Sequence, residues 1–130
     1  MLNQFTCQIQ PVGVLLTLLV IAMPVGALRA KATFPAGTYA SGDFTVVFSS
    51  DGTFRVSEKG DAVVEGSYTV EADRITLTDK QGHYSCVAEG PGKYTWKQSG
   101  QTLAFTKVDD SCTGRERILT TQPLTKRSTE

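Results

Sequence analysis

Two cysteines and a histidine are the residues with the most specific chemistry in the second half of the chain. Cys86 and Cys112 form an even pair once Cys7 is removed with an N-terminal leader, and an even count in a small exported domain favours one disulfide. Two unpaired buried thiols are the alternative. His83 is the only histidine, and its place beside Tyr84 at a predicted strand start favours an exposed rim residue over a general base.

No recognisable catalytic or metal-binding motif accompanies these residues. The sequence has no G-x-S-x-G, P-loop or H-E-x-x-H pattern, and two cysteines with one distant histidine do not make a zinc ligand set. Asp51, Asp61, Asp73 and Asp79 fall at predicted turns, where aspartate bonds to its local backbone. The remaining acidic pair, Asp109–Asp110, offers few of the oxygens that Ca²⁺ needs. We therefore predict a protein that is not an enzyme and that holds no metal or cofactor.

Eight aromatic side chains recur at alternate positions of extended runs, which directs them toward one interior. If they fill it, the protein has a packed core. If several of them line a small apolar pocket at one mouth, the tyrosine hydroxyls supply the polar tips of a small-ligand site. Both interpretations fit the spacing, and the second predicts a small hydrophobic ligand. The eight residues are Phe44, Phe48, Phe54, Tyr68, Tyr84, Tyr94, Trp96 and Phe105.

The charge of the chain excludes some classes of partner. The 130 residues carry a formal net charge of zero, which gives no electrostatic reason to expect nucleic acid or an anionic membrane. We expect one domain and a monomer. Four basic residues late in the chain could form a basic rim, although a solvated surface is the simpler interpretation; they are Lys97, Lys107, Arg115 and Arg117.

Strands with one apolar and one polar face are needed to direct the eight aromatic side chains toward one interior. Residues 44–48 alternate in this way, and Asp51–Gly52 before the next alternating run is a strong hairpin signal. Gly66 lies in mid-strand, where it predicts a bulge, a sharp bend or a close backbone approach. The predicted strands are 37–49 with a kink at Ser41–Gly42, then 53–58, 63–70, 74–79, 83–88, 93–98, 102–108 and 118–122.

Short turns between closely spaced strands predict an all-β fold. Sequential antiparallel pairing makes a small up-and-down (meander) barrel of about eight strands the simplest topology, because closure removes exposed edges. An open or flattened barrel of six or seven strands is the alternative. The polar segment 109–116 is predicted to contain one short helical turn.

The N-terminal region differs in composition from the rest. Residues 2–28 carry no charge, Val12–Met23 is a nearly continuous apolar run, and Ala30–Lys31–Ala32 has the form of a cleavage site. We predict a hydrophobic signal helix in residues 1–32, the barrel in 33–124 and a flexible tail in 125–130. Because residues 1–10 have no lysine or arginine, an uncleaved membrane anchor is the alternative. With a cleaved signal we expect the protein to be exported to the periplasm or the extracellular space; with an uncleaved segment we expect it to be anchored to the membrane.

Several segments resemble the short secreted bacterial form of the lipocalin-like, or calycin, barrels. Gly37–Thr38–Tyr39 resembles the G-x-W start of that family, with tyrosine in place of tryptophan; DGTFRV (51–56), GSYTVEADRITLTD (66–79) and residues 86–115 resemble its later strands. The sequence has no clear T-D-Y motif. The resemblance implies a calycin-type barrel and a small hydrophobic ligand. It also implies that a late arginine, Arg117 or else Arg115, packs over Tyr39 as a cation–π contact.

Three functions compete at this point. The first is an exported, non-enzymatic barrel that binds a small apolar or amphipathic molecule. The second is a protein-binding module, such as an envelope inhibitor of a lysozyme or protease, acting through His83, the 89–92 loop or the 109–115 loop. The third is a structural envelope domain with a filled core.

Overall fold

The computed structural model describes Gly13 and residues 33–128. Apart from Gly13, the predicted signal helix in residues 1–32 lies outside the described residues. Residues 33–128 form eight antiparallel strands in an up-and-down closed barrel, which confirms the predicted fold class. A short helix, α1 (Thr113–Thr120), joins the last two strands. The strands are β1 (Gly37–Ser41), β2 (Phe44–Phe48), β3 (Thr53–Glu58), β4 (Asp61–Glu71), β5 (Arg74–Gln81), β6 (Gly92–Ser99), β7 (Thr102–Asp109) and β8 (Leu124–Lys126).

The first predicted strand, residues 37–49, is in fact two strands. Gly42 has a φ of 57° and forms with Asp43 a two-residue hairpin, because glycine reaches this left-handed region at little cost. β1 and β2 consequently pair along their whole length, from Gly37 opposite Phe48 to Ser41 opposite Phe44. The Asp51–Gly52 turn lies where predicted, between β2 and β3.

The predicted strand at 83–88 is wrong. β5 pairs directly with β6, from Arg74 opposite Thr95 to Leu77 opposite Gly92, so the segment between them has no neighbouring strand edge to join. Residues 82–91 instead form an irregular loop, which we call the rim loop. The Cys86 amide in this loop donates to the Asp79 carboxylate at 2.7 Å rather than to a strand.

The predicted strand at 118–122 is also wrong. These residues belong mostly to α1, which is two turns long and not the single turn expected at 109–116. A short apolar run such as ILTT does not distinguish helix from strand by its period. The last strand, β8, lies three residues beyond Thr121, and two of its residues fall in the segment predicted as a tail.

Aromatic rings fill one end of the barrel, which we call the aromatic end. Phe34, in the segment before β1, lies with its ring centroid 5.2 Å from Phe48, 5.4 Å from Tyr68 and 5.3 Å from Trp96. The Tyr39 hydroxyl points to this end, where it donates to the Pro35 carbonyl at 2.5 Å. The contacts of Phe34 with Phe48 and Trp96 are edge-to-face, an arrangement that adds to the free energy gained from burying the rings.

Gly66 fulfils its predicted role. The pairing of β4 with β5 shifts register between Glu65 and Gly66. A side chain at Gly66 would overlap the Thr78 carbonyl and the Phe54 ring. Because Gly66 has no side chain, the Phe54 ring can lie across β4, where it is buried.

Trp96 provides a spectroscopic test of this register. The residue is 8 % exposed and its indole N–H donates to the Ala72 carbonyl at 3.1 Å. We expect native emission to be blue-shifted relative to the unfolded chain in denaturant. Native emission like that of free tryptophan in water would contradict the inward orientation of alternate β6 residues.

A helix and a short strand together close the barrel. β8 pairs with β1 only at Tyr39–Lys126 and Ala40–Thr125. β8 does not reach the opposite end of β1, which we call the helix end. There α1 lies beside β1 instead of a strand, and the Ser41 hydroxyl on β1 donates to the Ile118 carbonyl at 2.7 Å. Within residues 33–128, no helix is long and apolar enough to span a membrane.

Candidate functional site

A cavity of about 230 Å³ lies at the helix end of the barrel. Most of its wall is aliphatic or aromatic, from β2 to β5 on one side and α1 on the other. Three exposed residues, Tyr84, Gly114 and Arg117, also line it, so the cavity meets solvent between the rim loop and the helix. The remaining lining residues are Phe44, Val46, Phe54, Val56, Val64, Leu77, Asp79, Arg115, Ile118 and Leu119.

The structure divides the eight predicted interior rings between core and cavity. Five of them, at positions 48, 54, 94, 96 and 105, are buried in the core, and Phe44 and Tyr68 pack against it partly buried. Only Phe44, Phe54 and Tyr84 line the cavity. The packed-core interpretation therefore describes most of these rings, and a cavity lined by three of them lies at the helix end.

Tyr84 does not point inward as predicted, because the rim loop is not a strand. The residue is 49 % exposed. Its backbone amide donates to the Val63 carbonyl at 2.9 Å, and the neighbouring Glu58 carboxylate raises the pKa of its hydroxyl by hydrogen bonding. Tyr84 therefore forms part of the mouth of the cavity and not its interior.

The disulfide between Cys86 and Cys112 is present, as predicted, with 5.9 Å between the Cα atoms. It joins the rim loop to the residue that caps α1, since the Cys112 sulfur accepts from the Arg115 amide at 3.3 Å. Cys112 is buried. Disulfides are typical of proteins in oxidising compartments, and this one fixes two sides of the mouth relative to one another.

The first turn of α1 places a buried arginine beside the cavity. Arg115 Nε and Nη2 donate to the two oxygens of Asp110 at 2.7 and 2.6 Å. Nη2 also donates to the Gly90 carbonyl at 2.8 Å. The Tyr94 hydroxyl donates to the same Asp110 carboxylate. Gly92 leaves room for this arrangement, because a side chain there would overlap both the carboxylate and the guanidinium.

The second carboxylate of this group is Asp79, on β5. Its Oδ1 lies 3.0 Å from Arg115 Nη1, and its Oδ2 accepts from the Cys86 amide. We call Asp79, Asp110 and Arg115 the buried charge cluster. Asp79 also lies close to both cysteine sulfurs, but sulfurs joined in a disulfide carry no thiolate charge to offer a metal.

Mutual contacts keep Asp110 and Arg115 ionised. Burial alone would raise the pKa of Asp110, but hydrogen bonds from Arg115, Tyr94 and the Cys112 amide outweigh it and lower that pKa. Burial alone would lower the pKa of Arg115, but the two carboxylates outweigh it and raise that pKa. Burial, with the bond to Asp110, strongly raises the pKa of Tyr94.

The lowered pKa of Asp110 predicts acid sensitivity. A carboxyl with a lower pKa in the folded than in the unfolded state stabilises the fold above the unfolded value, here 3.8. That stability is lost as the pH falls through the folded pKa. We expect the free energy of unfolding, measured by urea titration, to drop below about pH 4. Asp110→Asn should flatten this part of the profile, and a variant profile as steep as the wild-type one would contradict this.

Three predicted placements of charged residues are wrong. Arg115 is buried and not part of a basic rim, because two carboxylates neutralise it. Asp79 is buried within β5 and not at a turn. Arg117 does not pack over Tyr39: it is exposed on α1, whereas the Tyr39 hydroxyl points to the aromatic end.

Two sequence signals could have identified the cluster. Asp79 continues the inward alternation of Ile75 and Leu77, so the period of β5 already placed its carboxylate inside. Arg115 and Leu119 are four residues apart and share one helix face, which is the buried face of α1. No local sequence pattern, however, predicts that Asp79 on β5 and Arg115 on α1 are in contact.

Comparison of the chain with protein-family models, with curated proteins and with solved structures finds no match. The eight-stranded closed barrel is consistent with a lipocalin-like fold. The function therefore has to be inferred from the cavity, its mouth and the buried charge cluster.

Proposed function

We propose that the protein is an exported, non-enzymatic barrel of the calycin type that binds one small, mainly hydrophobic molecule in the cavity at its helix end. The cavity of about 230 Å³ is the observation that carries this proposal. Small-molecule sites are concave and mainly apolar, with a few polar groups at one side. An apolar cavity that opens at one mouth of a barrel whose other end is filled by aromatic rings therefore favours a binding site.

The chemistry of the wall supports an apolar ligand. Valine, leucine, isoleucine and phenylalanine side chains make up most of the lining, and an apolar cavity of about 150 Å³ already holds benzene. By the same scale this cavity holds a ligand of about nine non-hydrogen atoms. The part of the ligand inside the cavity is thus smaller than a long-chain fatty acid or a drug-sized molecule.

The mouth supports binding rather than catalysis. His83 lies exposed on the rim loop with its ring 5.3 Å from that of Tyr84. Of the charged residues that line the cavity, Asp79 and Arg115 pair with one another, and Arg117 is exposed at the mouth. Export is supported by the disulfide, and a monomer remains our expectation.

Native mass spectrometry of the protein purified from an exported fraction tests the proposal. We expect a retained mass of roughly 100–200 Da, as about nine non-hydrogen atoms would give, that is lost on denaturation. Val64→Phe places a ring in the cavity and should abolish retention. Val108→Phe is the matched control, because Val108 is exposed on β7 and lies outside the cavity lining. Retention of the same mass by a folded Val64→Phe protein would place the ligand elsewhere.

A second candidate function has its own observation. Tyr84 and Val87 are 49 % and 57 % exposed on the rim loop, which the disulfide and the Arg115–Gly90 bond hold in place. Exposed apolar residues on a fixed loop are typical of a protein-binding module. This function predicts that Val87→Ser abolishes capture of a protein partner while leaving small-ligand binding unchanged.

A further inference from the structure

We propose that the disulfide between Cys86 and Cys112 is a redox-controlled clasp on the mouth of the cavity, and that its reduction by a dithiol speeds the release of a bound molecule. The inference rests on the proposed function, because it concerns entry to the same cavity. It depends on where the bond lies, on how few other bonds join the two sides that it connects, and on how the two cysteines differ in exposure.

The disulfide spans the mouth. On the rim loop, Cys86 follows the mouth residue Tyr84 by two positions. On the other side, Cys112 precedes Gly114 of α1, which also lines the cavity, by two positions. A disulfide holds the two residues that it joins at a nearly fixed separation. Widening the mouth requires the rim loop and α1 to move apart, and the bond opposes that motion.

Few other bonds join the rim loop to α1. In the part of the chain that the structure describes, the hydrogen bond between these two segments runs from Arg115 Nη2 to the Gly90 carbonyl, at 2.8 Å. The Tyr84 and Cys86 amides of the loop donate instead to β4 and β5. Reduction of the disulfide therefore leaves the loop attached to the sheet but weakly attached to the helix.

The two cysteines differ in access, which sets the order of the exchange reaction. Cys112 is 2 % exposed, whereas Cys86 is only partly buried, so a dithiol reaches the Cys86 sulfur first. Its thiolate attacks that sulfur, the S–S bond breaks, and Cys112 leaves as a thiolate that then takes up a proton. The second thiol of the reductant displaces Cys86 in the same way. The protein gains two electrons and two protons, and the reductant becomes a disulfide.

The surroundings of Cys112 favour it as the leaving sulfur. The sulfur accepts from the Arg115 amide at 3.3 Å, and a helix N-terminus of this kind stabilises a thiolate. A more stable thiolate leaves faster. The Asp79 carboxylate lies close to both sulfurs and opposes this effect, but Arg115 pairs with it.

The exchange of fluorobenzene between the cavity and solvent tests the clasp. The probe is smaller than the roughly nine non-hydrogen atoms that the cavity holds, and fluorine NMR line shapes give its association and dissociation rates. We would compare the oxidised protein, the protein reduced with dithiothreitol, and a reduced protein whose two sulfurs are joined by a methylene group from diiodomethane. Neither cysteine lies in a strand, so in the cold all three forms should stay folded. Loss of binding in Val64→Phe would show that the probe lies in the cavity.

Reduction is expected to raise both rates by at least about tenfold, as the loss of a restraint worth one hydrogen bond would do. The dissociation constant, which is their ratio, should change little, because neither cysteine lines the cavity. Dithiothreitol does not cleave the methylene bridge. The bridged protein should therefore exchange the probe about as slowly as the oxidised protein does.

Phe34→Ala is the matched control for a general loss of stability. Phe34 packs against Phe48 and Trp96 at the aromatic end, so its replacement destabilises the fold away from the mouth. The oxidised variant should exchange the probe at the wild-type rate. Exchange as fast as in the reduced wild-type protein would mean that the rate follows overall stability or that the probe leaves through the aromatic end, and either would overturn the inference.

The remaining outcomes separate the inference from the proposed function. Equal exchange rates in the oxidised and reduced proteins would leave the proposed function standing and refute the clasp. Unfolding of the protein on reduction in the cold, or a disulfide that dithiothreitol reduces only in denaturant, would also refute the clasp, because the bond would then be purely structural. If fluorobenzene binds to neither form, the proposed function fails together with the inference.

Discussion

Replacing Arg115 with alanine is expected to lower the free energy of unfolding by about 3–5 kcal/mol. The substitution leaves the carboxylates of Asp79 and Asp110 buried without their shared cation. The cost comes from these unpaired charges and is not a measure of how much the intact cluster stabilises the fold. Urea titration at neutral pH measures it, and the loss should shrink at low pH, where the carboxylates can take up protons.

Arg117→Ala is the matched control for this prediction. Arg117 lies two residues further along the same helix, has the same charge and is exposed. We expect its replacement to change the free energy of unfolding by less than about 0.5 kcal/mol. Equal losses in the two variants would mean that the burial of Arg115 does not determine its contribution.

Replacing both Cys86 and Cys112 with alanine is expected to lower the free energy of unfolding by about 3–4 kcal/mol. The bond closes a loop with a sequence separation of 26 residues, and opening it gives the unfolded chain more conformations. In a domain of this size the loss corresponds to a decrease of roughly 15–25 °C in the melting temperature.

Reducing agent provides the control for the disulfide. It should lower the melting temperature of the wild-type protein to a value close to that of the double-alanine variant, and should not affect the variant itself. A wild-type protein that melts at the same temperature with and without reductant would contradict a stabilising role for the bond.

The alternation of apolar and polar residues was enough to predict the barrel. The pleat of a strand imposes this period on every sheet with one buried face, and most of the strands and interior rings follow it. The exceptions are segments in which alternation occurs without a partner strand. Residues 83–88 alternate, but β6 already occupies the edge of β5. The predicted number of eight strands was nevertheless right. The predicted strand 37–49 is two strands, which makes up for the absent strand at 83–88, and β8 lies beyond the predicted strand at 118–122.

The site was less predictable than the fold, for a physical reason. Whether rings fill a barrel depends on how side chains from distant strands meet, and no local pattern records this. Asp79 and Arg115 are far apart in sequence and meet only when α1 folds across the helix end. The sequence predicted the disulfide from cysteine parity alone, but not that its capping of α1 would help to place that arginine.

The thin closure of the barrel has a consequence for where the sheet loosens first. β8 contributes only three residues, it pairs with β1 and with β7 at two positions each, and α1 bonds to β1 through the Ser41 side chain. Local unfolding in proteins begins where such contacts are few. Backbone amides along the seam between β7 and β1 should therefore exchange with solvent sooner than those of β3 and β4, which pair along most of their length.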